Sequence, residues 1–183
     1  HCTCRRQRQM CIRDSFKGDL KDLHEAKGSS ALPILRKDFI IDESQLVESK
    51  IAGADCILLI LSCLDRDKYQ SLLNLTKTLE MDALVEVHNR EELEIALDSN
   101  ADLIGINNRN LKDFSVTVDT SMELAKLVNN EKIFLVSESG ISNRKTILQL
   151  QNKRINGFLI GESLITSENT AECLKTLVGD NNE

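Results

Sequence analysis

Six short apolar segments recur along the chain, and amphipathic helical segments lie between them. The apolar segments do not alternate with polar residues, which is typical of strands buried on both faces of a parallel sheet. They span residues 33–35, 55–61, 83–87, 103–107, 133–137 and 157–160. Strands that alternate with helices predict an α/β fold in which helices cover the sheet.

The helical segments carry recognisable start signals. Asn89-x-x-Glu92 and Thr120-x-x-Glu123 match the capping-box pattern, so each predicts a helix start. The 3.6-residue spacing predicts that Leu127 and Leu174 face the core from the fifth and last helices. A helix is also predicted over residues 144–151.

Polar side chains follow the predicted strands, where α/β folds collect their chemistry. Arg36, Lys37 and Asp38 come after the first, and Glu86 lies within the third between apolar neighbours. A buried carboxylate is costly unless it is paired or faces a polar cavity. A solvated charge cluster and a solvent-facing Glu86 are the competing interpretations. In a (β/α)8 barrel, such side chains converge on one pocket.

Two glycine turns follow consecutive strands near the end of the chain. Ser139-Gly140 and Gly161-Glu162-Ser163 offer backbone N–H groups and hydroxyls that suit a phosphate dianion. Barrels of this class often bind phosphate after strands seven and eight. The sequence therefore predicts an incomplete (β/α)8 TIM barrel with strands 3–8 present and the first two βα units missing. A doubly wound fold competes, but neither its G-x-G-x-x-G fingerprint nor a P-loop occurs.

Length, net charge, apolar runs and cysteine content exclude several classes of protein. A length of 183 residues suits one domain, predicted over residues 16–178 and followed by a polar tail at 179–183. The net charge of −6 and the absence of a basic aromatic stripe argue against a nucleic-acid surface. No apolar run approaches the roughly 20 residues that cross a bilayer. Six cysteines without paired metal-ligand spacing indicate reduced thiols in a cytoplasmic protein.

Residues 1–15 differ from the rest of the chain. They contain four arginines, one acidic residue and no hydrophobic period. Residues 5–15 resemble the translation of a transposon adapter used in sequencing libraries. We therefore expect a non-native, disordered leader here; a natural basic arm is the alternative.

With these residues laid out, the chain from Phe16 to about Thr166 resembles the indole-3-glycerol phosphate synthase family. The matching segments are FKGDL, LPILRKDFIIDESQ, GADCILLI, MDALVEVHNREEL, LIGINNRNL, LVSESGI and FLIGESL. The resemblance implies a (β/α)8 barrel without metal or organic cofactor. It also implies a carboxy-lyase of tryptophan biosynthesis, which closes and decarboxylates 1-(2-carboxyphenylamino)-1-deoxyribulose 5-phosphate.

The resemblance assigns roles to individual residues. Lys37 is expected to be the general acid, and Glu86 the general base in dehydration. Asn107 and Glu138 complete the expected catalytic set. The remaining positions are expected to bind the substrate (Phe39, Arg109, Ser139) or its phosphate (Gly140, Gly161, Ser163).

One part of the family pattern is absent from this sequence. The family's first strand carries a Glu and a second catalytic Lys in a motif like EVKKASPS, and no such motif occurs here. We therefore expect this chain to lack competent activity alone. The alternatives are another phosphate-binding barrel, such as phosphoribosylanthranilate isomerase, or a non-catalytic half-barrel binding module. The expected partners are the phosphorylated small-molecule substrate and, further, other enzymes of the tryptophan pathway.

Overall fold

The computed structural model describes residues 19–111 and 113–179, which divide after Glu86 into two compact units. The leader predicted at residues 1–15 and the tail beyond Gly179 lie outside the described residues. Both units consist of strands connected by helices. The prediction of an α/β fold is confirmed, and the strands pair in parallel within each unit.

The first unit contains three helices and three strands in alternating order. They are α1 (Leu20–Ser29), β1 (Leu35–Arg36), α2 (Glu43–Ile51), β2 (Cys56–Ile60), α3 (Arg66–Thr78) and β3 (Asp82–Val87). Strand β2 pairs with β1 and β3, and its register places Ile60 opposite Glu86. The middle strand is fully apolar and buried, with Ile57, Leu58 and Leu59 inaccessible to solvent. This burial on both faces explains why β2 does not alternate in sequence.

The second unit repeats the same order and adds two helices near its end. Its elements are α4 (Arg90–Asp98), β4 (Leu103–Asn107), α5 (Asp119–Ala125), β5 (Phe134–Glu138), α6 (Arg144–Gln151), β6 (Gly157–Leu159), α7 (Glu162–Ile165) and α8 (Thr170–Val178). Strand β5 pairs with β4 and β6. Ile104, Ile106 and Leu135 form its buried centre.

Short polar side chains begin most of the helices. The Asn89 side chain accepts a hydrogen bond from the N–H of Glu92, and Asn143 does the same for Thr146. Each bond satisfies a backbone donor that has no partner within the helix. The predicted start of α4 and the predicted helix at residues 144–151 are therefore confirmed.

Three local predictions differ from the structure. Helix α5 begins at Asp119 after Val118, without a side-chain cap, so the predicted Thr120 capping box is wrong. Leu127 is 39% exposed and Leu174 is 48% exposed, although both were expected to face the core. Helix α5 ends at Ala125, so Leu127 lies beyond the last helical turn. Its side chain therefore does not follow the helical periodicity that would point it to the core. The short helix α7 follows the second glycine turn, where only a turn was predicted.

An ion pair fastens α1 to the start of the sheet in the first unit. The Lys27 ammonium donates to both carboxylate oxygens of Asp55, at 2.8 and 2.7 Å. The backbone N–H of Ile34 donates to the same carboxylate at 2.7 Å. The Lys27 hydrogen bond, followed by the Ile34 bond, lowers the pKa of Asp55.

The lowered pKa of Asp55 predicts a stability loss in acid. A carboxylate with a depressed folded-state pKa stabilises the fold fully above its ordinary value of 3.8, and this contribution disappears as the pH falls through the lowered pKa. We expect Asp55→Asn to lower the Tm at pH 7, and the difference from the parent chain to shrink below about pH 4. The exposed Asp102→Asn is the control, with a small and constant difference. A pH-independent Asp55→Asn effect would contradict this assignment.

Within residues 19–111 and 113–179, no helix has both the length and the apolar character needed to cross a membrane.

Candidate functional site

The charged cluster of Arg36, Lys37 and Asp38 lies at the end of β1. Arg36 is the last residue of this strand, and its side chain and that of Lys37 have different partners. Arg36 is 8% exposed and turns toward α2, where its guanidinium donates to the Gln45 carbonyl and the Ser49 hydroxyl, both at 2.9 Å. It also pairs with Asp38 at 2.9 Å. The solvated-cluster interpretation is therefore wrong for Arg36, which anchors the strand end that carries Lys37.

Lys37 and Glu86 form an ion pair at this strand end. The Lys37 Nζ lies 3.7 Å from Oε2 of Glu86. Glu86 is only 3% exposed, while the Lys37 side chain is 32% exposed. The interpretation of Glu86 as a solvent-facing residue is therefore wrong. A buried carboxylate beside a partly exposed ammonium places an acceptor and a donor of protons at one point.

Phe39 follows this pair in a loop whose backbone is held in place. The Gln45 side chain donates to the Phe39 carbonyl at 2.9 Å, and the Asp38 carboxylate accepts from the Phe39 N–H at 2.8 Å. The side chain of Phe39 is half-buried. Because α2 supplies Gln45, the helix that follows the strand determines the path of this loop.

A second group of predicted site residues lies in the second unit, at the carboxyl ends of β4 and β5. Strand register places Asn107 opposite Glu138. The Oδ1 atom of Asn107 accepts from the Ser139 hydroxyl at 2.9 Å and from the Arg109 N–H at 3.0 Å. Glu138 is 1% exposed. Parallel strands of matching length therefore bring these four predicted residues together.

The Arg109 side chain contacts a carboxylate of the second glycine turn. Its Nη2 atom lies 3.4 Å from Oε2 of Glu162, whose side chain is 80% exposed. Ion pairs this exposed contribute little, because solvent screens them and side-chain entropy opposes them. Arg109 can therefore exchange this partner for the anionic group of a ligand at small cost.

The two glycine turns also contact each other. The Ser163 hydroxyl donates to the carbonyl of Ile141 at 2.9 Å, which joins the start of α7 to the turn after β5. Ser139 and Gly140 have φ values of +66° and +75°, so both lie in the left-handed region. Gly140 and Gly161 are exposed. A side chain added at Gly161 would meet no atom within 4 Å, so its backbone is open to a ligand.

Sequence analysis missed one group of residues at this site. Asn108, Ser121 and Ser137 are almost completely buried and form hydrogen bonds beneath the Asn107–Ser139 contact. The signal in the sequence was the polar residue pair Asn107-Asn108 at a strand end. Only the folded chain shows that the second asparagine turns inward while the first accepts from Ser139.

Three cysteines lie within the described residues. Burial raises the pKa of the Cys56 thiol to about 11, so this residue stays protonated near neutral pH. Cys56, Cys63 and Cys173 are free thiols. Throughout the described parts of the chain, no three His, Cys, Asp or Glu side chains are grouped so that they could hold a metal ion.

The fold and the position of these groups define a class of protein. The chain superimposes on 3-hexulose-6-phosphate synthase from Salmonella typhimurium with a TM-score of 0.74 and 14% identity, covering 86% of this chain and 77% of that one. At this identity the likeness shows the fold alone. Parallel strands with polar groups at their carboxyl ends therefore define an α/β protein of the TIM-barrel kind.

The sequence comparisons identify the family. The indole-3-glycerol phosphate synthase family model matches residues 10–177. Proteins named indole-3-glycerol phosphate synthase from Polaromonas naphthalenivorans and Endomicrobium trichonymphae are 45% and 48% identical, over 90% and 88% of this chain. The chain belongs to the indole-3-glycerol phosphate synthase family, as its motifs predicted. It spans 62% of the length of each of these relatives.

Proposed function

We propose that this chain carries the larger part of the active site of an indole-3-glycerol phosphate synthase. The reaction converts 1-(2-carboxyphenylamino)-1-deoxyribulose 5-phosphate into indole-3-glycerol phosphate, CO2 and water. The observation that carries the proposal is the Lys37–Glu86 pair, with a 3.7 Å separation and a buried carboxylate, in a chain of this family. Neither alternative is favoured, and the protonated Cys56 does not suit the Cys/Asp pair expected of an isomerase.

Lys37 and Glu86 divide the proton transfers between them. Lys37 supplies the proton donor of the pair and Glu86 the proton acceptor. As the new carbon–carbon bond forms, the electron pair of the attacked carbonyl group moves to its oxygen, and Lys37 donates a proton to that oxygen. The aromatic carboxylate then leaves as CO2, and its bonding electrons restore the aromatic ring. The new hydroxyl departs as water in the dehydration step. Glu86 accepts a proton during dehydration. Donor and acceptor groups placed in this way contribute about 10²- to 10⁴-fold each to such reactions.

Residues of the second unit take further substrate-binding roles in this proposal. Asn107 and Glu138 line the pocket with Ser139, and Arg109 binds the substrate carboxylate in place of the exposed Glu162. Phe39, in the first unit, stacks near the aromatic ring of the substrate. The hydrogen bonds of Asn107 to Ser139 and Arg109 support this assignment, because they fix three binding groups relative to one another.

The phosphate group binds at the two glycine turns. Gly140 and Gly161 let the backbone approach the anion, and Ser163 contributes from the start of α7. The contact between Ser163 and Ile141 supports this role, since it keeps the two turns together. No cofactor or metal takes part in the proposed reaction.

The six strands correspond to strands 3–8 of an eight-stranded barrel in this proposal. The relatives are longer than the part of them that this chain matches. We assign the first two βα units to that remaining length, and we propose a leader at 1–15, a partial barrel at 16–178 and a tail at 179–183. The protein acts in the cytoplasm. Its proposed partners are a phosphorylated small molecule and other enzymes of the tryptophan pathway, and they include neither nucleic acid nor membrane.

Joining the missing segment to this chain tests the proposal. We expect the 183-residue chain to show no turnover, because the first strand brings a Glu and a Lys of the active site. A chimera that carries the N-terminal segment of the Polaromonas naphthalenivorans protein in place of residues 1–15 should form indole-3-glycerol phosphate, measured by product fluorescence. Turnover by the shorter chain would contradict the assignment of missing strands. A folded chimera without turnover would contradict the function.

A further inference from the structure

A buried polar cluster lies beneath the proposed phosphate site in the second unit. Its members are Asn108, at the end of β4, Ser121 in α5 and Ser137 in β5, with exposures of 2%, 0% and 0%. Buried polar groups cost stability unless each hydrogen bond is satisfied. We therefore expect this cluster to stabilise a particular conformation of the residues that it contacts.

The Asn108 side chain uses its complete hydrogen-bonding capacity. Its amide nitrogen donates to the Ser137 hydroxyl and to the Ser139 carbonyl, both at 3.0 Å. Its amide oxygen accepts from the Ser121 N–H at 3.1 Å and from the Ser121 hydroxyl at 2.9 Å. A primary amide offers two donors and two acceptor positions, so all four are occupied.

The backbone of Asn108 adds two further connections. Its N–H donates to the Glu138 carbonyl at 2.9 Å, and its carbonyl accepts from the Thr117 N–H at 3.1 Å. Asn108 thus connects the end of β4 with the end of β5 and with the segment before α5. The contact with Ser139 is the one that reaches the proposed binding groups.

Ser139 needs such a restraint because its backbone is strained. It has a φ of +66°, and Gly140 follows at +75°. The left-handed region is unfavourable for a non-glycine residue. Consecutive N–H groups in turn conformations can form a concave anion site.

We propose that Asn108 is a positioning residue that holds the Ser139–Gly140 turn in its anion-binding conformation, and so sets the affinity for the substrate's phosphomonoester group. This inference rests on the proposed function for its ligand. Asn108 acts through Ser139 and is too buried to touch the phosphate. Asparagine suits the position because an aspartate of the same shape keeps the acceptor atoms and loses both donors.

Asn108→Asp in the 183-residue chain tests the proposal. The new carboxylate would face the Ser139 carbonyl at the distance of the lost hydrogen bond, which is repulsive. We expect the backbone 15N order parameters of Ser139 and Gly140, measured by NMR relaxation, to fall from about 0.85 to below about 0.6, with those of the other residues of the second unit unchanged. Affinity for inorganic phosphate, measured by NMR titration, should fall at least tenfold. At low pH the introduced carboxyl group is protonated and regains a donor. The phosphate affinity of the variant should therefore approach that of the parent chain.

Asn156→Asp is the matched control. It introduces the same charge at an exposed asparagine, whose Oδ1 still accepts from the Leu135 N–H at the opposite end of β5. We expect neither the order parameters of Ser139 and Gly140 nor phosphate affinity to change. If Asn108→Asp does not fold, Ser121→Ala removes the hydroxyl that holds the Asn108 oxygen, and the same localised fall in order parameters should appear.

The outcomes separate the positioning role from the proposed function. Unchanged order parameters at Ser139 and Gly140 in a folded Asn108 or Ser121 variant would overturn the positioning role, as would a uniform fall across the second unit. If the order parameters fall locally but the parent chain binds no phosphate, the positioning role stands and the proposed phosphate site is wrong.

Discussion

Glu86→Gln in the chimera is expected to lower kcat/KM by about 10²- to 10⁴-fold while the fold remains intact, because glutamine keeps the volume of the side chain and cannot accept the proton. It also removes the negative charge that lies 3.7 Å from the Lys37 Nζ. Steady-state kinetics monitored by product fluorescence measures the effect. Circular dichroism and thermal unfolding show whether the variant folds.

The pairing of Lys37 with Glu86 makes a sharper test possible. Groups that act as a unit are strongly non-additive, so Lys37→Met combined with Glu86→Gln should be little worse than either change alone. Glu94→Gln is the matched control, since Glu94 is exposed and pairs only with Arg90 in the i,i+4 arrangement among the ion pairs of the described residues. Full additivity of the two changes would mean that the residues act independently. A loss of less than tenfold for Glu86→Gln would exclude it as the general base.

Gly140→Ala is the second change with a large expected effect, here on stability. A Cβ at this position would lie 2.6 Å from Cγ1 of Val116, and the φ of +75° is unfavourable for any residue with a side chain. The backbone term costs roughly 1–2 kcal/mol and overpacking typically about 1–3 kcal/mol. We expect the free energy of unfolding to fall by about 2–5 kcal/mol in denaturant titrations. Phosphate binding should weaken with it.

Two further variants distinguish the steric clash with Val116 from the backbone strain. Val116→Ala added to Gly140→Ala removes the clash and leaves the backbone strain, so about half of the lost stability should return. Gly28→Ala is the control, because it lies in helix α1 with no atom within 4 Å of the new Cβ. Alanine favours the helix interior over glycine by roughly 0.5–1 kcal/mol, so this variant should be as stable as the parent or more so. A Gly140→Ala protein of parental stability would contradict the close contact with Val116.

Local sequence predicted the elements because the determining interactions are local. The apolar segment at residues 103–107 became β4 with the predicted bounds, and Asn143 caps a helix with the predicted bounds as well. Both depend on hydrogen bonds or burial within a few residues along the chain. The failure at Thr120 has the same origin, because a matching pattern does not exclude a start two residues earlier. The exposure of Leu174 depends on neighbours that periodicity does not specify.

The sequence by itself determined the family, the alternation of strands and helices, and which residues follow the strands. The family motifs can be recognised directly in the sequence. Strands that are buried on both faces lack the alternation of apolar and polar residues, so they can be recognised there as well. Only the tertiary structure decided which of these residues meet. The Lys37–Glu86 pair, the inward turn of Asn108 and the approach of Val116 to Gly140 each join positions far apart in the chain. Strand register and helix packing create these contacts, so the chain must fold before its site exists.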